Sequence, residues 1–485
     1  MEPQNLKFGG GVSHSTLNPV VLLVVIIVGI LICVQGRRQA ISLFLMAGIL
    51  IPIDQILVLG PLHLPMIRLL ALFGIIRMVR DKTASNSPIF TGGMTRLDKV
   101  VIFFSIFTAV NSLLLWRDSG MLVRQAGDLL TAFGIYFLMR HLIQDERDSD
   151  AAVRALVYVA LAVAAVMSYE QLTGHNPYAL LGGARASYYS LGLTRQDRTR
   201  AVAGFGHPLL AGTFGAILVP LFIGLWLKDK KNLKIALAGF AASTVIVLAA
   251  ASSTPMLAYA GGLMALCMWP LRDWMRPIRW GIVVTLASLH MVMKAPVWQL
   301  IARVDVVGGS SSDHRYQLVN QCILHFKDWW LFGVKDTGAW GWDMWDTANQ
   351  YVSVADSTGL LPLILFLAIL TYGYKSVGAA RKASVGNKSM ELYHWSLGGA
   401  LFANTVAFMG ISYWDQTEVA WYTFLAIIGA AAIAAPALSE AMAPAQEAAP
   451  QLILPPRPAY ISNPSRPNSY GRMVTGRWAP KSTMK

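Results

Sequence analysis

The chain has 485 residues, 55% of them hydrophobic and only 14% charged, which is more apolar surface than one water-soluble core buries. A single soluble domain is excluded, and so is a closed β-barrel, because the apolar runs are continuous rather than alternating. The formal charge of +14 does not point to nucleic acid: no basic helix or aromatic RNA-binding motif accompanies it, and Lys and Arg collect in the cytoplasmic loops of membrane proteins.

Residues 1–16 are polar with a single Lys, so the apolar run at 17–34 lacks the basic start and small-residue cleavage site of a signal peptide and reads as a retained first span. Further apolar runs lie near 40–60, 62–76, 99–116, 122–139, 152–170, 205–227, 233–251, 254–271, 279–293, 351–374, 393–412 and 418–436. A bilayer core needs about 20 helical residues, so the expected fold is all-α, a polytopic membrane protein with about 12–13 transmembrane segments. Pro52, Pro61 and Pro65 interrupt the 40–60 and 62–76 pair, which fits two broken spans or one re-entrant pair.

The basic connections, at Arg37 and Arg38, 77–99, 140–154, 228–234, 272–279 and 375–388, are expected on the cytoplasmic side. Two long loops, 171–204 and 295–350, then face the periplasm or cell exterior. From 437 to 485 the chain is Ala/Pro-rich and then basic, the composition of a disordered cytoplasmic tail behind a transmembrane unit of 1–436. Arginines in that tail suit anionic lipid or a partner as well as plain solvent. No internal repeat is evident, which argues against transporters built from inverted halves. Cys33, Cys267 and Cys322 form neither a disulfide framework nor a metal-ligand spacing.

Chemistry is concentrated in the two exterior loops. Ser310 and Asp313 fit an S-x-x-D cap, and Val319, Cys322, Phe326 and Trp330 follow at helical spacing, which predicts an amphipathic helix over 312–329 at the outer membrane surface. Arg315 lies on its apolar stripe in the first turn, where it either snorkels to water or holds an anion beside the helix-start N–H groups. In the earlier loop Arg195, Arg198 and Arg200 precede GFGHP at 204–208, where Pro208 suits the first turn of a helix. His207 there is expected to be structural or interfacial, with catalysis the less favoured role. Trp329, Trp330, Trp340, Trp342 and Trp345 suit sugar stacking or interfacial anchoring, and Asp343 and Asp346 are the nearest carboxylates for a general base. Within the apolar runs, Arg124 and Asp128 stand four apart and are expected to pair on one helix face, while Asp54 is an isolated intramembrane acid.

Four stretches in order, YEQLTGHNPYALLGG at 169–183, RTRAVAGFGHPLLAGTFG at 198–215, DHRYQLVNQCILHFKDWWLFGV at 313–334 and TANQYVSVADSTGLLPLILF at 347–366, resemble the O-antigen ligase and polymerase superfamily. The resemblance implies a multi-pass enzyme of the bacterial inner membrane that takes glycan from an undecaprenyl-diphosphate carrier on the periplasmic face and joins it to a glycan or lipid acceptor, without a metal or other cofactor. Membrane lipid and other polysaccharide-assembly proteins are the implied partners, and nucleic acid is not one. By the same resemblance Arg200 and Arg315 take the places of the diphosphate-binding arginines, with Arg198, His207, His314, Asn349, Tyr351, Trp342 and Trp345 around the substrate. Two departures stand out: Ala348 occupies the place of the family's loop histidine, and its Ser-Arg pair is reduced to Ala251-Ser252-Ser253-Thr254. Alanine cannot take a proton, so Asp346, Asp343, His314 or His207 inherits that role, or leaving-group stabilisation suffices. A lipid-linked glycan transporter and a non-catalytic subunit of an assembly complex are the competing readings.

Overall fold

A computed structural model describes residues 15–84, 88–183, 194–195, 198–303, 311–414 and 416–442. The described chain is overwhelmingly helical: α1 (Pro19–Val34), α2 (Arg37–Leu50), a hairpin of β1 (Ile56–Leu59) and β2 (Leu62–Pro65), α3 (Met66–Ala84), α4 (Arg96–Trp116), α5 (Ser119–Leu142) and α6 (Glu146–Thr173) come first. Two-residue strands β3 (Thr194–Arg195) and β4 (Arg198–Thr199) precede α7 (Pro208–Lys228), α8 (Leu233–Ala249), α9 (Ser253–Cys267) and α10 (Met275–Val292). The rest comprises α11 (Ser311–Leu324), a single turn α12 (Phe326–Trp329), α13 (Gln350–Thr358), α14 (Leu360–Ala383), α15 (Lys388–Ala407) and α16 (Gln416–Met442).

Six of these helices are long and apolar enough to cross a membrane, namely α4, α6, α7, α8 with its preceding turn, α14 and the first part of α16. A bent pair, α9 followed by the segment through α10 with an 81° break, makes a seventh if it is one span. The other apolar runs fall short for visible reasons. The helix α1 has 16 residues and α2 has 14, while α3 and α5 carry charged side chains such as Arg68, Arg77, Arg124, Asp128 and Arg140. Between α2 and α3 the proline-broken stretch is not helical: it closes as an antiparallel hairpin, Ile56 opposite Pro65 and Leu59 opposite Leu62. Asp54, just before it, is 3% exposed, and its backbone carbonyl accepts from Thr16 Oγ1 at 2.8 Å. The expected tail at 437–485 falls mostly outside the described residues, although α16 continues as helix through Met442.

At the centre stands α7, buried along most of its length and packed on α8, α9 and α15. In lipid such contacts rest on close packing of small residues rather than on apolar transfer. Two sets of charges pair between helices, one buried and one half-exposed. The buried Asp98 closes the capping box of α4 with Thr95, accepts from Tyr136 Oη at 2.5 Å and lies 3.4 Å from Arg140 Nε on α5. The expected Arg124–Asp128 pair forms at 3.9 Å, and Asp128 also binds Arg68 of α3 at 2.9 Å, so this carboxylate joins two helices.

Candidate functional site

The site is built where the loop before α7 meets the start of α9. The amide of Ala201 donates to the carbonyl of Ala249, which fixes the loop to the last turn of α8. The chain then reverses through Ala251, held in the left-handed region at φ 44°, a conformation that disfavours any residue with a Cβ. Ser252 follows as the N-cap of α9, and its hydroxyl donates to the Ala250 carbonyl while accepting from Arg200 Nη2 at 2.7 Å. Ser252, Ser253 and Thr254 are all buried. Residues that looked like a loss of the family's Ser-Arg pair thus form a cap against which Arg200 is held, beside the partial positive charge of a helix N-terminus.

From the other loop, α11 carries Arg315, only 7% exposed, to the neighbourhood of the same cap. Thr254 Oγ1 donates to the carbonyl of Gly410 at 3.3 Å, and Arg315 Nε lies 3.0 Å from the position a Cβ on Gly410 would take. Arg200 and Arg315, 115 positions apart in the chain, therefore flank the 252–254 segment. The crowding at Gly410 has a consequence: Gly410→Ala displaces Thr254 and Arg315, and is expected to cut any activity that depends on Arg315 at least ~10-fold while the protein still elutes as a folded species.

The predicted helix over 312–329 is interrupted at His325, which divides α11 from α12, and the Ser310 cap lies outside the described residues. Its apolar stripe is only partly covered: Val319 and Cys322 lie in a buried cluster, while Phe326 is 43% and Trp330 47% exposed. Cys322 and Trp329 pack with Val352 and Ala355 of α13, while Trp329 Nε1 donates to the Cys322 carbonyl. His314, next to Arg315, bonds through Nε2 to the Asp346 carbonyl at 3.0 Å, and its Nδ1 is 4.0 Å from Asp343 Oδ2. Partial desolvation raises the carboxyl of Asp346, an exposed residue, above its usual range, an effect that His314 opposes and Asp343 reinforces. His314, Asp343 and Asp346 are thereby gathered around the segment that leads to Ala348.

Asn349 and Tyr351 have structural partners. Asn349 Oδ1 caps α13 by accepting from the amides of Tyr351 and Val352, and its Nδ2 donates to the Met409 carbonyl. Tyr351 Oη donates to the Thr405 carbonyl. They hold α13 against the 405–409 segment, one residue from the glycine that Arg315 approaches. His207 caps α7, its Nδ1 accepting from the Leu209 amide at 3.1 Å, which agrees with the structural role expected. Trp342 is 95% exposed and Trp345 72%. Arg198 lies on β4 opposite Arg195, and its side chain lies outside the described residues.

Sequence reasoning missed a cavity of about 690 Å³ walled by α2, α4, α5, α13 and the start of α16, with Val334, Lys335, Trp345 and Thr347 at its loop side. Phe408, Tyr413 and Trp414 line it, while Gly410 of the same turn faces Thr254 and Arg315, so the 408–414 turn borders both features. Asp356 of α13 is also in the wall. The turn at 330–334 is held against it by two backbone bonds, Val334 N to Asp356 O at 2.6 Å and Leu360 N to Trp330 O at 2.9 Å. Gly333 and Gly359, both at φ +92°, permit that approach, since a Cβ on either would meet backbone atoms within 2.6 Å. The one signal in the sequence was the spacing of Ser105, Thr108 and Ser112 on an otherwise apolar helix. No protein-family model matches the chain, and comparison with curated proteins gives no match either.

Proposed function

We propose that the chain is a membrane glycosyltransferase of the O-antigen ligase or polymerase type, working on the periplasmic face of a bacterial inner membrane on an undecaprenyl-diphosphate-linked glycan. In this reading the chain crosses the membrane about 12–13 times, the shorter and more polar helices included, and both long loops are periplasmic. The observation that carries the proposal is the approach of Arg200 to Ser252 and of Arg315 to Gly410 beside Thr254, which brings two cations to the buried N-terminus of α9, a setting suited to a diphosphate.

The chemistry follows from charge and proton flow. An acceptor hydroxyl oxygen attacks the anomeric carbon, the bond from that carbon to the diphosphate oxygen breaks, and undecaprenyl diphosphate leaves with the bonding pair. Negative charge grows on the leaving group in the transition state, and fixed cations there lower the barrier by a few kcal/mol. The acceptor proton passes to a base. Asp346, raised by partial desolvation and bonded through its backbone carbonyl to His314, is the carboxylate best placed in the segment where the family has its histidine. The lipid acceptor or growing glycan would approach past Trp342 and Trp345, and polysaccharide-assembly proteins are the natural partners.

Reconstitution with undecaprenyl-diphosphate-linked glycan tests the proposal. Wild type is expected to form a new glycosidic bond and Arg200→Ala and Arg315→Ala to lose that activity; turnover retained in both variants would sink the site. Product analysis separates the two reaction types, because a polymerase lengthens the carrier-linked chain and a ligase moves it to a different acceptor. Movement of lipid-linked glycan across liposomes with no new bond would instead favour a transporter.

A further inference from the structure

Asp356 is 4% exposed, and its Oδ2 has no hydrogen-bond partner among the described residues. Across the same cavity wall Thr108 Oγ1 of α4 likewise has no hydrogen-bond partner among the described residues. A buried threonine in a helix usually bonds the carbonyl one turn back, and a buried carboxyl usually has every oxygen satisfied. Asp356 and Thr108 line one cavity, and on each an unpartnered polar atom lies just inside the wall, where a small side-chain turn towards a ligand would supply the missing bond. Ser105 and Ser112 continue the polar face of α4 one turn to either side of Thr108, and Ser353 stands one turn before Asp356 on α13.

The composition of the wall narrows the ligand. Asp356 is pushed up to about 8 by burial, opposed only by backbone N–H bonds, so at neutral pH it is a protonated donor as well as an acceptor. The charges lining the cavity come with both signs, Arg68, Arg124 and Lys335 against Asp128, Asp336 and Glu418, and Arg68 is spent on Asp128 at 2.9 Å. The rim bears Trp116, Trp345 and Trp414. Hydroxyl-type hydrogen bonding, balanced charge and flat aromatic faces suit a neutral polyhydroxylated molecule, and about 690 Å³ is within the range of small-ligand sites.

We propose that this cavity is a sugar-binding subsite in which Asp356 and Thr108 hydrogen-bond the hydroxyls of a neutral sugar unit, across the 408–414 turn from the arginine pair. The ligand class rests on the glycosyltransferase reading; the existence of a polar ligand site rests on the cavity alone.

The test is binding, not turnover. Full-length protein in detergent is titrated with fluorophore-labelled neutral gluco-, galacto- and mannotrisaccharides, and affinity is read by anisotropy. Wild type is expected to bind at least one of the three, Asp356→Leu to bind it roughly tenfold or more weakly, and Asp356→Asn, which keeps a donor and an acceptor, to stay within about threefold. Thr108→Val, nearly isosteric and on a different helix, is expected to weaken the same sugar several-fold, so the inference does not depend on one variant folding. Failure of wild type to bind any trisaccharide overturns it, as does unchanged affinity in both Asp356→Leu and Thr108→Val. Loss of binding in Asp356→Asn equal to that in Asp356→Leu would overturn it in favour of a cation site. Arg315→Ala is expected to bind sugar normally, so active arginine variants would defeat the proposed reaction and leave the sugar subsite standing.

Discussion

Arg315→Ala is expected to reduce glycosyl transfer by the reconstituted protein by roughly 100- to 1,000-fold, the usual cost of removing one preorganised group that stabilises developing charge. The effect should fall mainly on kcat, because charge on the diphosphate increases as the glycosidic bond breaks, and a contact that strengthens in the transition state is lost from the rate. Arg315→Lys is expected to recover only a small part of it. Arg315 is buried with its Nε beside Gly410, near the cap of α9, where a planar fork can meet two phosphate oxygens and a flexible ammonium cannot. Arg200→Ala should behave in the same way but also loosen the cap, since Arg200 bonds Ser252 directly. Single-turnover rates with matched thermal unfolding of each variant decide the matter: Arg315→Ala turning over within threefold of wild type removes Arg315 from the reaction.

The helical membrane character was legible in the sequence because continuous apolar runs admit almost no other structure in lipid. What the runs conceal is where a helix stops. Gly359 divides 351–374 into α13 and α14 through a left-handed backbone and a tight contact with Leu331, and an apolar run carries no trace of such a break. Pro52, Pro61 and Pro65 signalled a broken region correctly, yet periodicity over so few residues did not distinguish a hairpin from a helical re-entrant pair. Within the candidate site, Arg200 and Arg315 were identifiable from the order of the motifs, whereas their meeting at Ser252 and Gly410 depends on contacts between segments 52 and 95 residues apart. The apolar pattern of 312–329 is divided in the structure, Val319 and Cys322 packing on α13 while Phe326 and Trp330 stay exposed, because periodicity reports an apolar face and not what covers each part of it.

Asp356 supplies the sharpest expectation about stability. Its carboxyl lies outside the six spanning helices, on α13, and is pushed up to about 8 by burial, with its own and the Ser357 backbone N–H groups acting in the opposite sense. An unfolded aspartate titrates near 3.9, roughly. Between those values the folded protein binds a proton that the unfolded chain releases, so stability is greatest below about pH 4, falls as pH rises, and levels off above about pH 8. The slope from this one group is at most about 1.4 kcal/mol per pH unit. Cys322, whose thiol is raised to about 12 by burial and by Asp356, stays protonated throughout and does not blunt the effect. Asp356→Asn removes the titration and keeps the shape, so it is expected to raise the unfolding temperature in detergent strongly at pH 8 and much less at pH 5, where only about one pH unit of the penalty has built up. Equal shifts at the two pH values would show that Asp356 is not held protonated. A variant that gains stability at pH 8 and loses sugar affinity when the substitution is to leucine instead would identify an acid kept in the cavity wall for its ligand, at a cost to the fold that packing alone gives no reason to bear.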